Sequence, residues 1–134
     1  MSSSSQVSSS QVSSAQASGF ACNVVALRGV LSRPPSVRAL RDGRELLELD
    51  VTVRSESGAE TVNVSWEGAA PSGVTWGAGE ELVVVGRVRR RFYRSGPATR
   101  SQTEVVASLV VPARQAKRAG NALAAAAERI SPRS

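Results

Sequence analysis

Residues 81–94 read Glu-Leu-Val-Val-Val-Gly-Arg-Val-Arg-Arg-Arg-Phe-Tyr-Arg, so an apolar run continues directly into a run rich in arginine. Successive side chains of a β-strand point to opposite faces of its sheet, so one strand can serve a core and a polar surface at once. The pattern predicts a single long strand over this stretch. The face expected to fill a core carries Leu82, Val84, Val88 and Phe92.

The other face of this predicted strand combines cations with an aromatic ring: it carries Arg87, Arg89, Arg91 and Tyr93. Guanidinium groups bind phosphates, and a ring offers a flat surface on which an unpaired base can stack. The combination indicates a surface for single-stranded nucleic acid. The alternative is an edge strand whose solvated charges only discourage aggregation between sheets.

The positive charge of the chain is concentrated in its last third. Net charge is +6 over 134 residues. Residues 1–86 hold six basic and nine acidic side chains, whereas residues 87–134 hold eleven basic and two acidic ones. All the cations except Lys117 are arginine, which pairs with phosphate through two hydrogen bonds and stacks on bases. Such a distribution is expected for a polyanion-binding face, although high-GC coding bias also enriches arginine and alanine.

The composition excludes several kinds of chemistry. The chain has no histidine and a single cysteine, Cys22, so neither histidine-based catalysis nor a thiolate zinc site can be built. Glu48 and Asp50 lie two residues apart on a predicted strand, but no nucleophile or metal-ligand set accompanies them, so we interpret them as solvated charges. We predict a protein that is not an enzyme, with no cofactor, no metal and no small-molecule substrate.

The location of the protein follows from similar observations. No apolar run approaches the length of a membrane span, and the first residues lack the basic and apolar regions of a secretory signal. The lone cysteine favours a reducing compartment. We therefore expect a cytoplasmic, nucleoid-associated protein without membrane contact.

Turn signals divide the rest of the chain into five predicted strands. Residues 1–19 are almost wholly Ser, Gln, Val and Ala, and a segment of this composition is expected to be disordered. Beyond it, the clearest turns are Asp42-Gly43 and Ser95-Gly96-Pro97. The predicted strands are residues 23–31, 45–54, 61–66, 81–94 and 103–111.

Five strands with a weak helical break between the third and the fourth predict an all-β, five-stranded Greek-key barrel, the OB-fold. We assign it to residues 20–112. Residues 113–134 form a basic, alanine-rich tail in which Asn121 is placed to cap a last helix. The tail is either frayed or a helix on a partner. We favour the frayed tail because it offers few large apolar side chains for docking.

Five short segments, in order and at matching spacing, resemble the bacterial single-stranded DNA-binding protein family. They are Asn-Val-Val-Ala-Leu-Arg-Gly-Val-Leu at 23–31, Pro-Ser-Val-Arg at 35–38, Asp-Gly at 42–43, Gly-Arg-Val-Arg at 86–89 and Thr-Glu-Val-Val-Ala at 103–107. The resemblance implies an OB-fold that binds single strands without chemistry or cofactor, in DNA replication, recombination or repair. It also implies a homo-oligomer, usually a tetramer.

The chain departs from that family where aromatic rings stack on bases. Thr61 stands where the third strand usually opens with Trp, and Glu67 stands where a Phe follows, while residues 51–60 contain no ring. Tyr93 keeps the aromatic position of the fourth strand. The acidic tip that ends in Pro-Phe is missing, since residues 131–134 read Ser-Pro-Arg-Ser. The resemblance therefore implies a divergent paralogue with weaker stacking and no recruitment through the tip.

The predicted DNA-binding site comprises Arg87, Arg89, Arg91, Tyr93, Arg28, Arg54 and Trp66. Arg28 and Arg54 enter because they point outward on their strands. Trp66 is in phase with Val62 and Val64, so a core position competes with a base-stacking role, and we favour the core.

Two alternatives to single-stranded DNA binding stay open. A protein-interaction module would have lost DNA binding along with its rings, and would use Trp66, Trp76 and the tail to contact partners. RNA binding through the same face is the other alternative, because recognition of the 2′-hydroxyl depends on local geometry.

Overall fold

The structure is a computed structural model that describes residues 21–67 and 74–131. In chain order it contains β1 (Val25–Leu31), β2 (Ser36–Ala39), β3 (Glu45–Ser55), β4 (Gly58–Trp66), β5 (Glu81–Ser95), β6 (Ala98–Pro112) and α1 (Ala116–Ile130). The five predicted strands are confirmed as β1, β3, β4, β5 and β6. The four-residue β2 was not predicted from the sequence. The segment predicted to be disordered, residues 1–19, lies outside the described residues.

Hydrogen bonding closes five of the strands into a barrel. The sheet order is β1-β5-β6-β4-β3-β2, and β1 also pairs with β3. The pairing of β4 with β6 is parallel, and the others are antiparallel. A closed five-stranded barrel with these pairings is an OB-fold, so the predicted fold class is confirmed.

The core lies inside the barrel and follows the alternation of the strands. Leu49 and Val51 of β3, Val64 of β4, and Leu82 and Val84 of β5 are almost completely buried. Burying each such side chain contributes roughly 1.5–3 kcal/mol. The outward neighbours of these residues on β3 and β4 are polar, which is why the sequence pattern was sufficient to locate this core.

Strands β5 and β6 come unusually close at Gly86, where the barrel ends. A Cβ atom on Gly86 would lie 2.1 Å from the carbonyl oxygen of Val106, so only glycine fits there without a shift. The β5–β6 register slips at the same point and leaves Ser108 as a bulged residue, whose hydroxyl donates to the carbonyl of Val85 at 3.1 Å. A bulge bends and twists its strand. The strands therefore change direction as they leave the barrel.

Residues 87–95 and 98–104 form a two-stranded extension, called here the β5/β6 ribbon. Strand β1 pairs with β5 only as far as Gly86, and β4 pairs with β6 only from Val105 onward. The predicted core positions of Val88 and Phe92 are wrong, because their side chains are 44% and 66% exposed. Both side chains point to the face that forms the core within the barrel. Beyond Gly86, neither β1 nor β4 extends far enough to cover that face.

The C-terminal segment forms a helix that packs against the outside of the barrel. Ala119, Ala122 and Ala126 of α1 are buried against residues such as Val83 and Val85 of β5. The favoured frayed tail is wrong, and the helix of the other alternative forms but packs on its own barrel, since small alanines let it approach the sheet closely. Asn121 lies inside α1 and does not cap it. Within residues 21–67 and 74–131, no helix is long and apolar enough to cross a membrane.

Candidate nucleic-acid interface

The outer face of the β5/β6 ribbon continues the barrel face on which α1 packs. Alternation from Val83 and Val85, which contact α1, leads directly to this face. The four principal residues predicted from the sequence therefore share one surface, as alternation requires. Arg87, Arg89, Arg91 and Tyr93 lie opposite Val106, Glu104, Gln102 and Arg100 of β6, respectively.

Two of these arginines are held by a buried carboxylate. Glu104 is 1% exposed, and Arg89 donates to its Oε2 from Nε at 3.1 Å and from a terminal nitrogen at 2.6 Å. The hydroxyl of Ser65, also buried, donates to Oε1 at 3.1 Å, and Nε of Arg91 lies 3.6 Å from that oxygen. One negative charge thus orients two cations, and their net positive charge on the surface is reduced from two to about one.

Tyr93 stands beyond this cluster toward the ribbon tip. Its ring is 40% exposed, and the guanidinium of Arg91 lies 5.8 Å from the ring centroid. A cation at that distance is attracted to the face of the ring and restrains both side chains. The outer face of the ribbon therefore presents a partly preorganised ring beside positive charge.

The ribbon also carries arginines that no carboxylate neutralises. Residues 87–103 contain six arginines and no acidic residue. Within the described part of the chain, four of the six form no ion pair: Arg87, Arg90, Arg94 and Arg100. All four side chains are exposed. These are the cations that a phosphate can reach without displacing an intramolecular partner.

A cavity of about 200 Å³ with a mixed polar and apolar lining adjoins Arg87 at the base of the ribbon. Arg129, from the last turn of α1, lines the same cavity, together with Gly86, Val106 and Ser108. Asn23 also contributes, but its amide is engaged with the backbone of Val88 at 2.8 and 2.9 Å. The docking of α1 thus places a second cation, Arg129, in the same cavity as Arg87. Two guanidinium groups lining one cavity are suited to an oxyanion.

The acidic side chains on the outer face of β3 are paired, not free. Asp50 accepts from Arg33 at 2.7 Å and from the amide of Asn63 at 3.2 Å. Glu48 accepts from Arg38 at 2.7 Å. The expectation that they are simply solvated is wrong, because both are partly buried and each has an arginine partner. Their pairing reduces the repulsion that they exert on a nearby phosphate.

Arg28 and Arg54, the two outlying members of the predicted site, have different surroundings. Arg28 donates to Glu81 at 2.9 Å, and this hydrogen bond and the attraction of the carboxylate raise the pKa of Arg28. Arg28 is therefore already engaged. Arg54 is exposed near the tip of the β3–β4 hairpin, opposite Ala59, and forms no ion pair with any described residue.

Trp66 belongs to the barrel and not to the arginine-bearing surface. It is half-buried, packs against the core and stacks on Trp76, with ring centroids 5.9 Å apart and planes within 1°. This packing agrees with the favoured core position, and the assignment of Trp66 to the DNA-binding site stays a prediction. Trp76 also packs against the core, and the connection before β5 brings it against Trp66.

Sequence analysis missed three residues of this surface. Arg100 faces Tyr93 only because the β5–β6 register sets it there, and Arg129 reaches the cavity only because α1 docks. The role of Glu104 could have been predicted from the sequence, since it is the only acidic residue between Glu81 and Glu128. A lone acid opposite an arginine-rich strand could have been interpreted as their shared partner. Among the described residues, no three acidic or cysteine side chains cluster in a way that would hold a metal ion.

No protein-family model and no curated protein matches this chain. Solved structures do match it. It is similar to the Plasmodium falciparum SSB solved as a complex with ssDNA, with a TM-score of 0.56 and 13% sequence identity over 69% of this chain and 95% of that chain. At this identity the similarity shows the fold alone.

A second similar structure is the wild-type single-stranded DNA binding protein from Thermus aquaticus, with a TM-score of 0.54 and 26% identity. The match covers 67% of this chain and 39% of that chain, so this chain corresponds to less than half of the Thermus protein. The resemblance predicted from the sequence is thus confirmed at the level of structural similarity to single-stranded DNA-binding proteins.

Proposed function

We propose that this chain binds single-stranded DNA without sequence preference and without catalysing a reaction. The observation that carries the proposal is the β5/β6 ribbon, which projects six arginines and two aromatic rings beyond the barrel with no acidic residue from 87 to 103. The similarity to two single-stranded DNA-binding proteins supports it. Sequence independence follows from the kind of groups offered, since guanidinium groups contact phosphates and rings stack on any base.

On this proposal the outer face of the ribbon makes two kinds of contact with the strand, to its phosphates and to its bases. The unpaired Arg87 and Arg100 take phosphates, and Tyr93, which lies opposite Arg100, receives a base. Arg89 and Arg91 are already turned toward Glu104, so they present fixed N–H groups at little further entropic cost. The cavity between Arg87 and Arg129 extends the phosphate path toward α1.

Electrostatics is expected to dominate the affinity. Family members use several stacking rings, whereas this outer face offers Tyr93 alone, and each stacked base contributes about 1–3 kcal/mol. Four unpaired arginines on the ribbon predict a plot of log K against log salt with a slope near −3, at about −0.7 per phosphate contact. Affinity should therefore fall steeply with salt.

We further propose that the chain is a divergent bacterial paralogue that works as a homo-oligomer on single strands exposed in replication, recombination or repair. The order of the family-like segments supports this, with the OB-fold that they specify. Light scattering coupled to size exclusion tests the oligomeric state, and a monomeric mass at micromolar concentration would refute that part alone.

The first experiment is titration with a long oligothymidine and with duplex DNA, each at low and at moderate salt, followed by quenching of aromatic fluorescence. Binding of the single strand in preference to the duplex, weakening with salt, is the expected result. No binding of either form at low salt refutes the proposal. An oligouridine of equal length, run in parallel, decides between DNA and RNA as the preferred strand.

Charge reversal at Arg89 and Arg91, the obvious substitutions, is a poor test. Each contacts Glu104, so a glutamate there would face a buried carboxylate and destabilise the barrel. Arg87 and Arg100 are exposed and unpaired within the described structure, and reversal there leaves the fold unstressed. Arg41, an exposed arginine in the turn before β3 that forms no ion pair with a described residue, is the matched control for added negative charge.

The residues predicted to contact partners in the interaction-module alternative are engaged within the chain itself. Trp66 and Trp76 stack on each other at the barrel end, and α1 packs on its own barrel. No observation of the described residues favours that function over nucleic-acid binding.

A further inference from the structure

The inner face of the β5/β6 ribbon exposes a second aromatic ring. This is the face with the phase of the barrel core, and beyond the barrel it is open to solvent. Phe92 is 66% exposed there, more than any other large hydrophobic side chain in the described structure. Val88, four residues earlier on the same face, is 44% exposed. An exposed ring on this face is available for a base to stack on.

The groups around Phe92 identify the chemistry of that ligand. Arg90 and Arg94 flank the ring on the same face, and neither forms an ion pair with a described residue. Opposite them β6 contributes three hydroxyl side chains and no acid: Thr99, Ser101 and Thr103. A ring between two cations, bordered by hydroxyls, matches a base between two phosphates.

The inner face carries two unpaired arginines among the described residues, as many as the face predicted from the sequence. On the outer face Glu104 engages Arg89 and Arg91, and Arg91 also contacts the ring of Tyr93. On the inner face, Arg90 and Arg94 have no such competitor. Glu60 of β4 has the inner phase as well, but it forms no ion pair with these arginines and lies on the other hairpin.

We propose that the ribbon binds single-stranded nucleic acid on both faces, with Phe92 stacking on a base and Arg90 and Arg94 holding the adjoining phosphates. This inference rests on the proposed function and adds a second contact surface to it. The strand passes around the ribbon, from the Tyr93 side to the Phe92 side. A duplex cannot use this face, because its bases are already stacked on one another.

A second copy of the chain is a poorer fit to this face. In a two-fold symmetric contact the same patch meets itself, so Arg90 and Arg94 would be brought close to their own equivalents. Like charges placed together disfavour such a contact, whereas a polyanion is attracted by the same charges. Charge complementarity therefore selects nucleic acid.

Two substitutions separate the stacking role of Phe92 from its apolar character. Phe92→Leu keeps an apolar side chain but removes the ring, and should weaken binding of a labelled oligothymidine about tenfold. Phe92→Trp keeps the ring, so affinity should be equal or tighter, and the added fluorescence should be quenched by the strand. Val37→Ala, which trims an exposed valine on β2, is the control and should bind as the wild type does.

The outcomes distinguish this inference from the proposed function. If the wild type fails to bind oligothymidine at low salt, the proposed function is refuted. If the wild type binds and Phe92→Leu binds equally well, only the second surface is refuted. If Phe92→Leu leaves DNA binding unchanged and lowers the mass of the protein in solution, the face is a contact between copies. Melting temperatures equal to wild type exclude an indirect effect of unfolding, since Phe92 lies outside the core.

Discussion

Arg89 directs two N–H groups at one oxygen of Glu104, at 3.1 and 2.6 Å, and thereby covers a carboxylate that is almost completely inaccessible to water. Ser65 donates a hydrogen bond to the other oxygen, and Arg91 forms an ion pair with it. A buried charge is tolerated only when it is paired and hydrogen-bonded, so these neighbours are a condition for Glu104 being there at all. The arginine that the sequence marks as a ligand for phosphate is also part of the scaffold.

Removing Arg89 should cost stability. In Arg89→Ala, Glu104 keeps Ser65 and a more distant Arg91, and we expect a loss of about 2 kcal/mol in the free energy of unfolding. This is below the 3–5 kcal/mol typical of a broken buried pair, because Arg89 itself is about one-third exposed. Urea denaturation provides the measurement. Arg87→Ala, which removes an exposed and unpaired arginine, is the control and should change stability by less than about 0.5 kcal/mol.

Reversing the charge of Arg87 and Arg100 should weaken DNA binding without affecting the fold. If each contacts one phosphate, the salt slope for oligothymidine should become less steep by about 0.7 per residue removed. Titrations at three or more salt concentrations give this slope for Arg87→Glu, Arg100→Glu and the double variant. Arg41→Glu should leave the slope unchanged, and an equal loss in Arg41→Glu would mean that only net charge matters.

Gly120→Ala should stabilise the protein. Gly120 is an exposed residue in the interior of α1, and a Cβ atom added there would meet nothing within 4 Å. Alanine is favoured over glycine in such a position by about 1 kcal/mol, since it reduces the conformational freedom of the unfolded chain. Thermal melting checks the sign. Ala126→Gly, at a buried position of the same helix, should have the opposite effect, and a neutral result for both would show that α1 contributes little to global stability.

Asp42 should make a small pH-dependent contribution to stability. The backbone N–H of Arg44, and then its guanidinium, donate to this carboxylate and lower the pKa of Asp42. A lowered folded-state pKa means that the stabilisation is present above the unfolded-state pKa and is lost as pH falls through the folded value. Asp42→Asn should therefore be less stable than wild type at pH 7, with a smaller difference at an acidic pH where the folded-state carboxylate is protonated. Urea midpoints that differ equally at both pH values would contradict this.

The strands were predictable because their information is local. Alternation over residues 45–54 and 81–86 identifies which side chains enter the core, and the predicted inward residues Leu49, Val51 and Val84 are buried there. Composition likewise located the positive charge in the last third of the chain. Alternation also placed Arg87, Arg89, Arg91 and Tyr93 on one face, since a strand keeps its two-residue period even after it leaves the barrel.

The environment of each side chain was not predictable in the same way. Val88 and Phe92 have the phase of core residues, yet they are exposed, because β1 and β4 end before they can cover the ribbon. The helix was underestimated because its docking surface consists of alanines, which have little apolar area but allow close approach. Trp66 was ambiguous until Trp76 was placed against it.

By itself, the sequence determined the strand alternation, the succession of strands along the chain and the concentration of arginine on one long strand, since all three follow from short-range periodicity and composition. Only the tertiary structure decided which arginines are free. Arg89 and Arg91 share Glu104 because the β5–β6 register brings together residues 13 to 15 positions apart. Arg129 lines the same cavity as Arg87 only because α1 docks on the barrel. Pairing between distant segments depends on where each strand ends and on register, and neither leaves a periodic trace in the chain.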